Sequence, residues 1–214
     1  SGIDTAGASA IFVVGRNGII LRSTDSGALW TEVPSGVTDW LYDVSFADSL
    51  HGFVVGEKGT ILRTNDGGLH WFRVASGTTE HLKSVVLTKP STGIVVGGRG
   101  MILRSSNFGA SWKPQDSWTG YVNLNAVAFS DINNGMVVGA NGIILQTSDG
   151  GVNWAIMESV PTDEFHALSL IHRNGIVSAT VVGESGRILR SSEGVTPWVD
   201  LNCVTTDVPS GVHY

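Results

Sequence analysis

What this 214-residue chain has little of narrows it before any motif does. There is a single cysteine, Cys203, which rules out a disulfide within the chain. The six histidines, His51, His70, His81, His166, His172 and His213, are scattered without ligand spacing, so no metal is expected. No cofactor is expected either. Lys and Arg number 13 against 19 Asp and Glu, a net charge of −6 with no run of either sign. That balance argues against nucleic acid, whose binding leans on clustered cations. No apolar run approaches the ~18 residues that a membrane span needs. The opening residues, SGIDTAGASA, are neither basic nor apolar enough for a signal peptide.

What is present is glycine, 28 residues of it, set in an internal repeat. Residues 56–71 read GEKGTILRTNDGGLHW, and the frame returns at 15–30, 97–112, 139–154 and 183–198. Gly56 and Gly59 bracket a tight turn, where residues without a Cβ take positive φ at little cost. Residues 60–64 are β-branched and aliphatic, as a strand requires. Asn65-Asp66-Gly67-Gly68 makes a second turn, and Trp71 opens the next strand. Between repeats lie two further strand-like runs, such as LYDVSF at 41–46 and FVVG at 53–56. Each unit thus holds four short strands, named A to D in chain order.

The leading glycines are spaced by 41, 41, 42 and 44 residues. Periods of this size with four strands per unit predict an all-β protein, a β-propeller of four-stranded antiparallel blades. The chain starts just before strand B of the first unit and ends in VPSGV at 208–212, an echo of VPSGV at 33–37. Running from the last glycine over the termini closes a fifth spacing of 46. The expectation is one domain over residues 1–214, a five-bladed ring whose terminal segments meet near strand A of the first blade. The rival is an excerpt of a longer propeller.

The turn after strand C carries Ser/Thr-x-Asp-x-Gly-x-x-Trp, the Asp-box of the bacterial-neuraminidase repeat. Its copies are Ser23, Asp25, Gly27, Trp30; Thr64, Asp66, Gly68, Trp71; Ser105, Asn107, Gly109, Trp112; and Thr147, Asp149, Gly151, Trp154. The last, Ser191, Glu193, Val195, Trp198, is degenerate. The wider frame, VVG-x-x-G-x-I-L-R-T-x-D-G-G-x-x-W, resembles the photosystem II assembly and stability factor family (the Ycf48-like proteins) over nearly the whole chain. The resemblance implies Asp-boxes that fold the C–D turn at the outer rim without catalysis, binding of protein subunits, and an extracytoplasmic place of action. Propellers of that family have seven blades, whereas five repeats occur here.

Two groups of candidate binding residues stand out. Arg22, Arg63, Arg104 and Arg190 share one repeat position at the end of strand C, with Gln146 breaking the series. They suit a patch for carboxylates or an acidic peptide, as the family resemblance also suggests. Alternatively each pairs locally, with its own Asp-box carboxylate for instance. The second group lies where the repeats diverge, at the start of strand A: Asp39, Trp40, Tyr42, Glu80, His81, Lys83, Tyr121, Asn123, Asn125, Asp163, Glu164 and His166. Divergence on a regular scaffold is how a site grafted on a fold looks, and this mixture suits peptide or sugar.

The reading that follows is a non-enzymatic propeller holding a protein or peptide partner; the alternative is a lectin-like module. Sialidase chemistry is unsupported, with three tyrosines in all and no F/Y-R-I-P motif. A glycosidase would need two carboxylates across a funnel, and nothing in the spacing of Asp39, Asp43, Glu80, Asp163 and Glu164 selects a pair.

Overall fold

The computed structural model describes residues 2–7, 10–157, 164–173, 176–192 and 197–201. The architecture is all-β, five sheets of four antiparallel strands each. Blade 1 comprises β1 (Ile3–Ala6), β2 (Ala10–Val14), β3 (Ile20–Ser23) and β4 (Thr31–Glu32). Blade 2 follows with β5 (Leu41–Phe46), β6 (Gly52–Gly56), β7 (Ile61–Thr64) and β8 (Phe72–Val74). Blade 3 has β9 (Leu82–Lys89), β10 (Thr92–Gly97), β11 (Ile102–Ser105) and β12 (Lys113–Gln115). In blade 4 they are β13 (Leu124–Phe129), β14 (Gly135–Gly139), β15 (Ile144–Thr147) and β16 (Ala155–Ile156). Blade 5 consists of β17 (Phe165–Arg173), β18 (Ile176–Gly183), β19 (Ile188–Ser191) and β20 (Val199–Asp200). No helix among the described residues is long and apolar enough to cross a membrane.

The first blade departs from the sequence reading. Its strand A is Ile3–Ala6, paired with β2, at the start of the chain. The run IDTA was illegible as a strand because it offers only one large aliphatic residue, and pairing rather than propensity makes it one. The closing echo at 208–212, and with it Cys203, lies outside the described residues.

The core sits between blades rather than within them. In blades 2 to 4 strand B is buried on both faces because it is flanked by A and C and sandwiched by neighbouring sheets. Phe12, Val14 and Ile20 of blade 1 meet Val44, Val54, Leu62 and Trp71 of blade 2. The same positions recur as Phe53, Val55 and Ile61 against Val85, Val95, Leu103 and Trp112, and again between blades 3 and 4. Blades 4 and 5 share a fourth core around Met136, Val138 and Ile144. Burying each such side chain contributes ~1.5–3 kcal/mol.

The turn between B and C shows why glycine recurs there. Gly59 takes φ +68, and a Cβ on it would lie 2.0 Å from the Thr78 carbonyl oxygen. Gly56 differs from expectation: its backbone is extended, at φ −166. Its constraint is steric instead, since a Cβ would sit 2.3 Å from the Trp40 carbonyl oxygen.

Candidate functional site

The Asp-boxes are built for folding the C–D turn. The Thr64 hydroxyl donates to Asp66 Oδ1 at 2.8 Å and accepts from the Gly68 amide at 2.9 Å. Asp66 Oδ1 in turn accepts the Leu69 and His70 amides at 3.1 and 3.0 Å. Ser23 with Asp25, Ser105 with Asn107, and Thr147 with Asp149 repeat the hydroxyl clamp. Burial raises the pKa of Asp66, but the His70 amide and imidazole and the Thr64 hydroxyl outweigh it and hold the group down to about 2. Trp71, Trp112 and Trp154 are buried, and Trp71 meets Phe12 of the preceding blade edge-on at 6.2 Å. Trp30 is the exception, 39% exposed, its indole N–H donating to the Gly27 carbonyl. Of the degenerate fifth copy, Ser191 is buried and Trp198 packs on the last core, while Glu193 and Val195 lie outside the described residues.

The arginine series is distributed near these turns, one each in blades 1, 2, 3 and 5. Arg63 donates to the Phe108 carbonyl at 3.0 Å, and Arg104 to the Gly150 carbonyl at 2.9 Å. Both acceptors belong to the Asp-box turn of the next blade, so these two bonds tie neighbouring blades rather than meet their own Asp-box carboxylate. Arg22 lies 5.9 Å from the Phe12 ring centroid, and Arg190 is exposed.

At the opposite, upper end, the inner strands of all five blades line one central cavity of about 400 Å³. Tyr42, Lys83, Asn125 and His166 are the second residues of β5, β9, β13 and β17, and all four line it. Lys83 Nζ donates to Asn125 Oδ1 at 2.6 Å. The Asn125 amide group donates to the Phe165 carbonyl at 2.7 Å and to Glu164 Oε1 at 3.1 Å. One chain of polar contacts therefore joins blades 3, 4 and 5.

Asp43 also lines the cavity and does a different task. The inner strand of each blade is a sheet edge whose amides need acceptors. Asp43 Oδ2 accepts the Val85 amide and the Ser84 hydroxyl, both at 2.9 Å, and so stitches blade 2 to blade 3. Asp4 Oδ2 accepts the Phe46 amide at 2.7 Å between blades 1 and 2. Desolvation pushes Asp43 up to about 6 despite bonds from Val85, Ser84 and Val44, and the Asp4 charge adds to the rise.

Around the mouth the divergent loops form a continuous strip. Arg16 stacks on Trp40 at 4.5 Å, Trp40 meets Tyr42 at 5.3 Å, and Tyr42 meets His81 edge-on at 6.3 Å. Glu57 accepts the Trp40 amide and the Tyr42 hydroxyl, each at 3.3 Å. Asp39 is buried and receives Lys58 at 3.0 Å and the Thr60 hydroxyl at 2.8 Å. The Lys58 bond, then that of Thr60, holds its carboxyl below the usual range. In blade 3, Arg99 lies 3.8 Å from Glu80 and stacks on Tyr121 at 4.5 Å. Its amide donates to Asn123 Oδ1 at 3.1 Å. Asp163 falls outside the described residues.

The sequence matches the description "Photosynthesis system II assembly factor YCF48" over residues 29–117 and 119–210. The chain belongs to that family. A YCF48 structure from Cyanidioschyzon merolae aligns over 93% of this chain and 70% of its own, at 18% identity and a TM-score of 0.71. A YCF48 bound to D1 peptide covers 94% of this chain and 81% of its own at 18% identity, with a TM-score of only 0.49. The GH74 xyloglucanase from Xanthomonas campestris shares the fold at a TM-score of 0.74 and 16% identity, over 94% of this chain but 38% of the enzyme. No curated protein matches significantly.

Within this YCF48-family chain the structure gathers most of the divergent candidates at one end and leaves the arginines at the other. The residues that sequence reasoning passed over are Arg16, Glu57, Lys58, Arg73 and Arg99. The signal was there in part: the two residues inside each G-x-x-G turn read RN, EK, GR, AN and ES. A frame otherwise so regular marks that variation. Arg73, on β8, had no such flag.

Proposed function

We propose that this YCF48-family chain is a non-enzymatic scaffold that holds a protein or peptide partner on its upper face, across the mouth of the central cavity. The observation that carries the reading is the convergence of Tyr42, Lys83, Asn125 and His166, four different side chains at one repeat position, on a single cavity. A symmetric scaffold that presents four unlike groups there suits an asymmetric partner better than a repeated function. Membership in a family of assembly factors supports the same reading, and an extracytoplasmic place of action goes with it. A glycosidase has less support. Asp39, Asp43 and Glu80 are each engaged by a cation or by backbone amides. The GH74 likeness carries fold alone.

The test is panning of a phage-displayed random dodecapeptide library on the purified chain, beside a Lys83→Ala/His166→Ala variant. Enrichment that disappears in the variant is the expected result. No enrichment, or enrichment indifferent to the variant, overturns the placement. Selective binding on a glycan array without peptide binding replaces the reading with a lectin.

A further inference from the structure

One loop of the upper face breaks the repeat. After strand D, blades 1, 2 and 3 each turn on a buried serine, Ser35, Ser76 and Ser117. In all three the serine hydroxyl accepts the amide two residues further on, at 3.3, 3.4 and 3.4 Å. The residue between is held at positive φ: Gly36 at +73, Gly77 at +77 and Trp118 at +59. Glycine takes this conformation freely, whereas a residue as bulky as tryptophan is strained in it. Such strain clusters at functional sites.

Packing does not account for the tryptophan. A Cβ built on Gly36 or Gly77 meets nothing within 4 Å, so a side chain at this position projects into solvent. Trp118 is 72% exposed, and Tyr121, three residues on in the same loop, is 78% exposed. They are the two most exposed aromatic side chains among the described residues. Among those residues the Trp118 indole has neither a hydrogen bond nor a ring contact.

The loop that carries them is firmly seated. Gly100, in the B–C turn of blade 3, lies so close that a Cβ on it would sit 2.5 Å from the Gly120 carbonyl oxygen and 3.0 Å from Ser117 Oγ. Next to Gly100, Arg99 stacks on Tyr121 at 4.5 Å. Two open aromatic faces thus stand beside three outward donors, the Trp118 indole N–H, the Tyr121 hydroxyl and the Arg99 guanidinium. Charge selects nothing there, since Arg99 and Lys113 are set against Glu80 and Asp116.

Shape does select. The two rings stand out from the surface rather than line a pit, so a flexible aliphatic side chain would gain little burial on them. A rigid flat ring loses little freedom in stacking on an open face, and proline supplies one. The carbonyls of a polyproline II stretch are also unpaired, which suits the donors around the rings. A sugar would need fixed acceptors for its hydroxyls, and Asn123 Oδ1 already accepts the Arg99 amide at 3.1 Å.

We propose that Trp118 and Tyr121 form a platform for a proline-bearing polyproline II segment of the partner, its rings on the aromatic faces and its carbonyls on the donors beside them. The inference rests on the peptide-binding reading above and adds a second anchor, with its chemistry, on the same upper face.

The test is Trp118→Gly, which gives blade 3 the residue that blades 1 and 2 carry. The melting transition should stay unchanged or rise, because a strained position is relieved and no core is uncovered. Dodecapeptides enriched on the wild type should carry P-x-x-P or longer proline runs, with affinity lower by about tenfold or more on the variant. A fluorescein-labelled decaproline peptide should follow the same pattern, while a glycine-serine decapeptide should bind neither protein. A clearly lowered melting transition assigns Trp118 to packing and overturns the inference. Enriched peptides without proline, or binding indifferent to the variant, also overturn it and leave the peptide-binding reading standing. Glycan-array binding in place of peptide binding, or no enriched peptide at all, overturns both.

Discussion

The two ends of this propeller follow opposite rules. At the lower rim, the chemistry repeats: a buried hydroxyl, an Asp or Asn and a glycine amide occur in the same relation from blade 1 to blade 4, followed by a tryptophan that is buried in blades 2 to 4. At the upper face, the corresponding turns hold different residues in every blade, and cations are left without full partners. The difference has a mechanical cause. The lower turns of blades 2 to 4 each place a tryptophan into the core shared with the preceding blade, so any change there is felt in packing. The upper turns have only to reverse the chain, which two positions with positive φ accomplish, the second of them glycine and the first open to unlike side chains, as at Lys58 and Arg99. Their chemistry is free to serve a partner.

The comparison breaks first, and most severely, at the lower rim. Trp71→Ala removes a ring packed on Phe12 and Phe46 and should cost ~3–5 kcal/mol in chemical denaturation. A loss under ~1 kcal/mol would show that the core between blades does not depend on that ring. Its counterpart in blade 1, Trp30, is far more exposed, so Trp30→Ala should cost roughly 1 kcal/mol or less. Equal costs at the two positions would mean that a covered environment surrounds Trp30 in solution.

Next comes the inner edge. Asp43 has a folded pKa of about 6, raised above its ordinary value, so the protonated form is the one that folding favours. Its contribution to stability is fully present below pH ~3.8 and is lost as pH rises through 6. Lowering the pH from about 7.5 to 5 should therefore stabilise the protein, by roughly 1–3 kcal/mol at most from this group. In Asp43→Asn that gain should shrink; an identical rise in both proteins removes Asp43 as its source.

Asp66 has the opposite sign. Its lowered pKa of about 2 gives stability that is present above ~3.8 and lost as pH falls through 2. Asp66→Ala should cost ~1–2 kcal/mol at neutral pH, as loss of a comparable cap does, with the gap to wild type closing in acid. A gap that persists at pH ~2 would locate the damage in packing instead. Smallest of all is the upper face. Lys83→Ala/His166→Ala should shift the melting transition very little while abolishing peptide capture. A large shift would turn the cavity mouth from a binding site into part of the core.

Much of the fold was legible because the repeat announces it. Periodic glycine, a β-branched run and a tryptophan at fixed offsets specify a blade, and five such units specify a propeller. Ile3–Ala6 was not legible, since a strand with so few aliphatic residues exists only by pairing with Ala10–Val14. Nor was the direction in which Arg63 and Arg104 reach: their acceptors lie about one repeat further along the chain.

The candidate site was half visible. Tyr42, Lys83, Asn125 and His166 were identifiable as divergent positions, yet nothing in their spacing said that they share a cavity. Arg73 was hidden for the same reason, 34 residues from the Asp39 it approaches. Local sequence determined what each blade is, because turns, strands and the Asp-box clamp all close within a few residues. Only the tertiary structure decided which blades' side chains meet. Those contacts join residues about 40 apart and depend on how sheets pack around the axis, which no local pattern encodes.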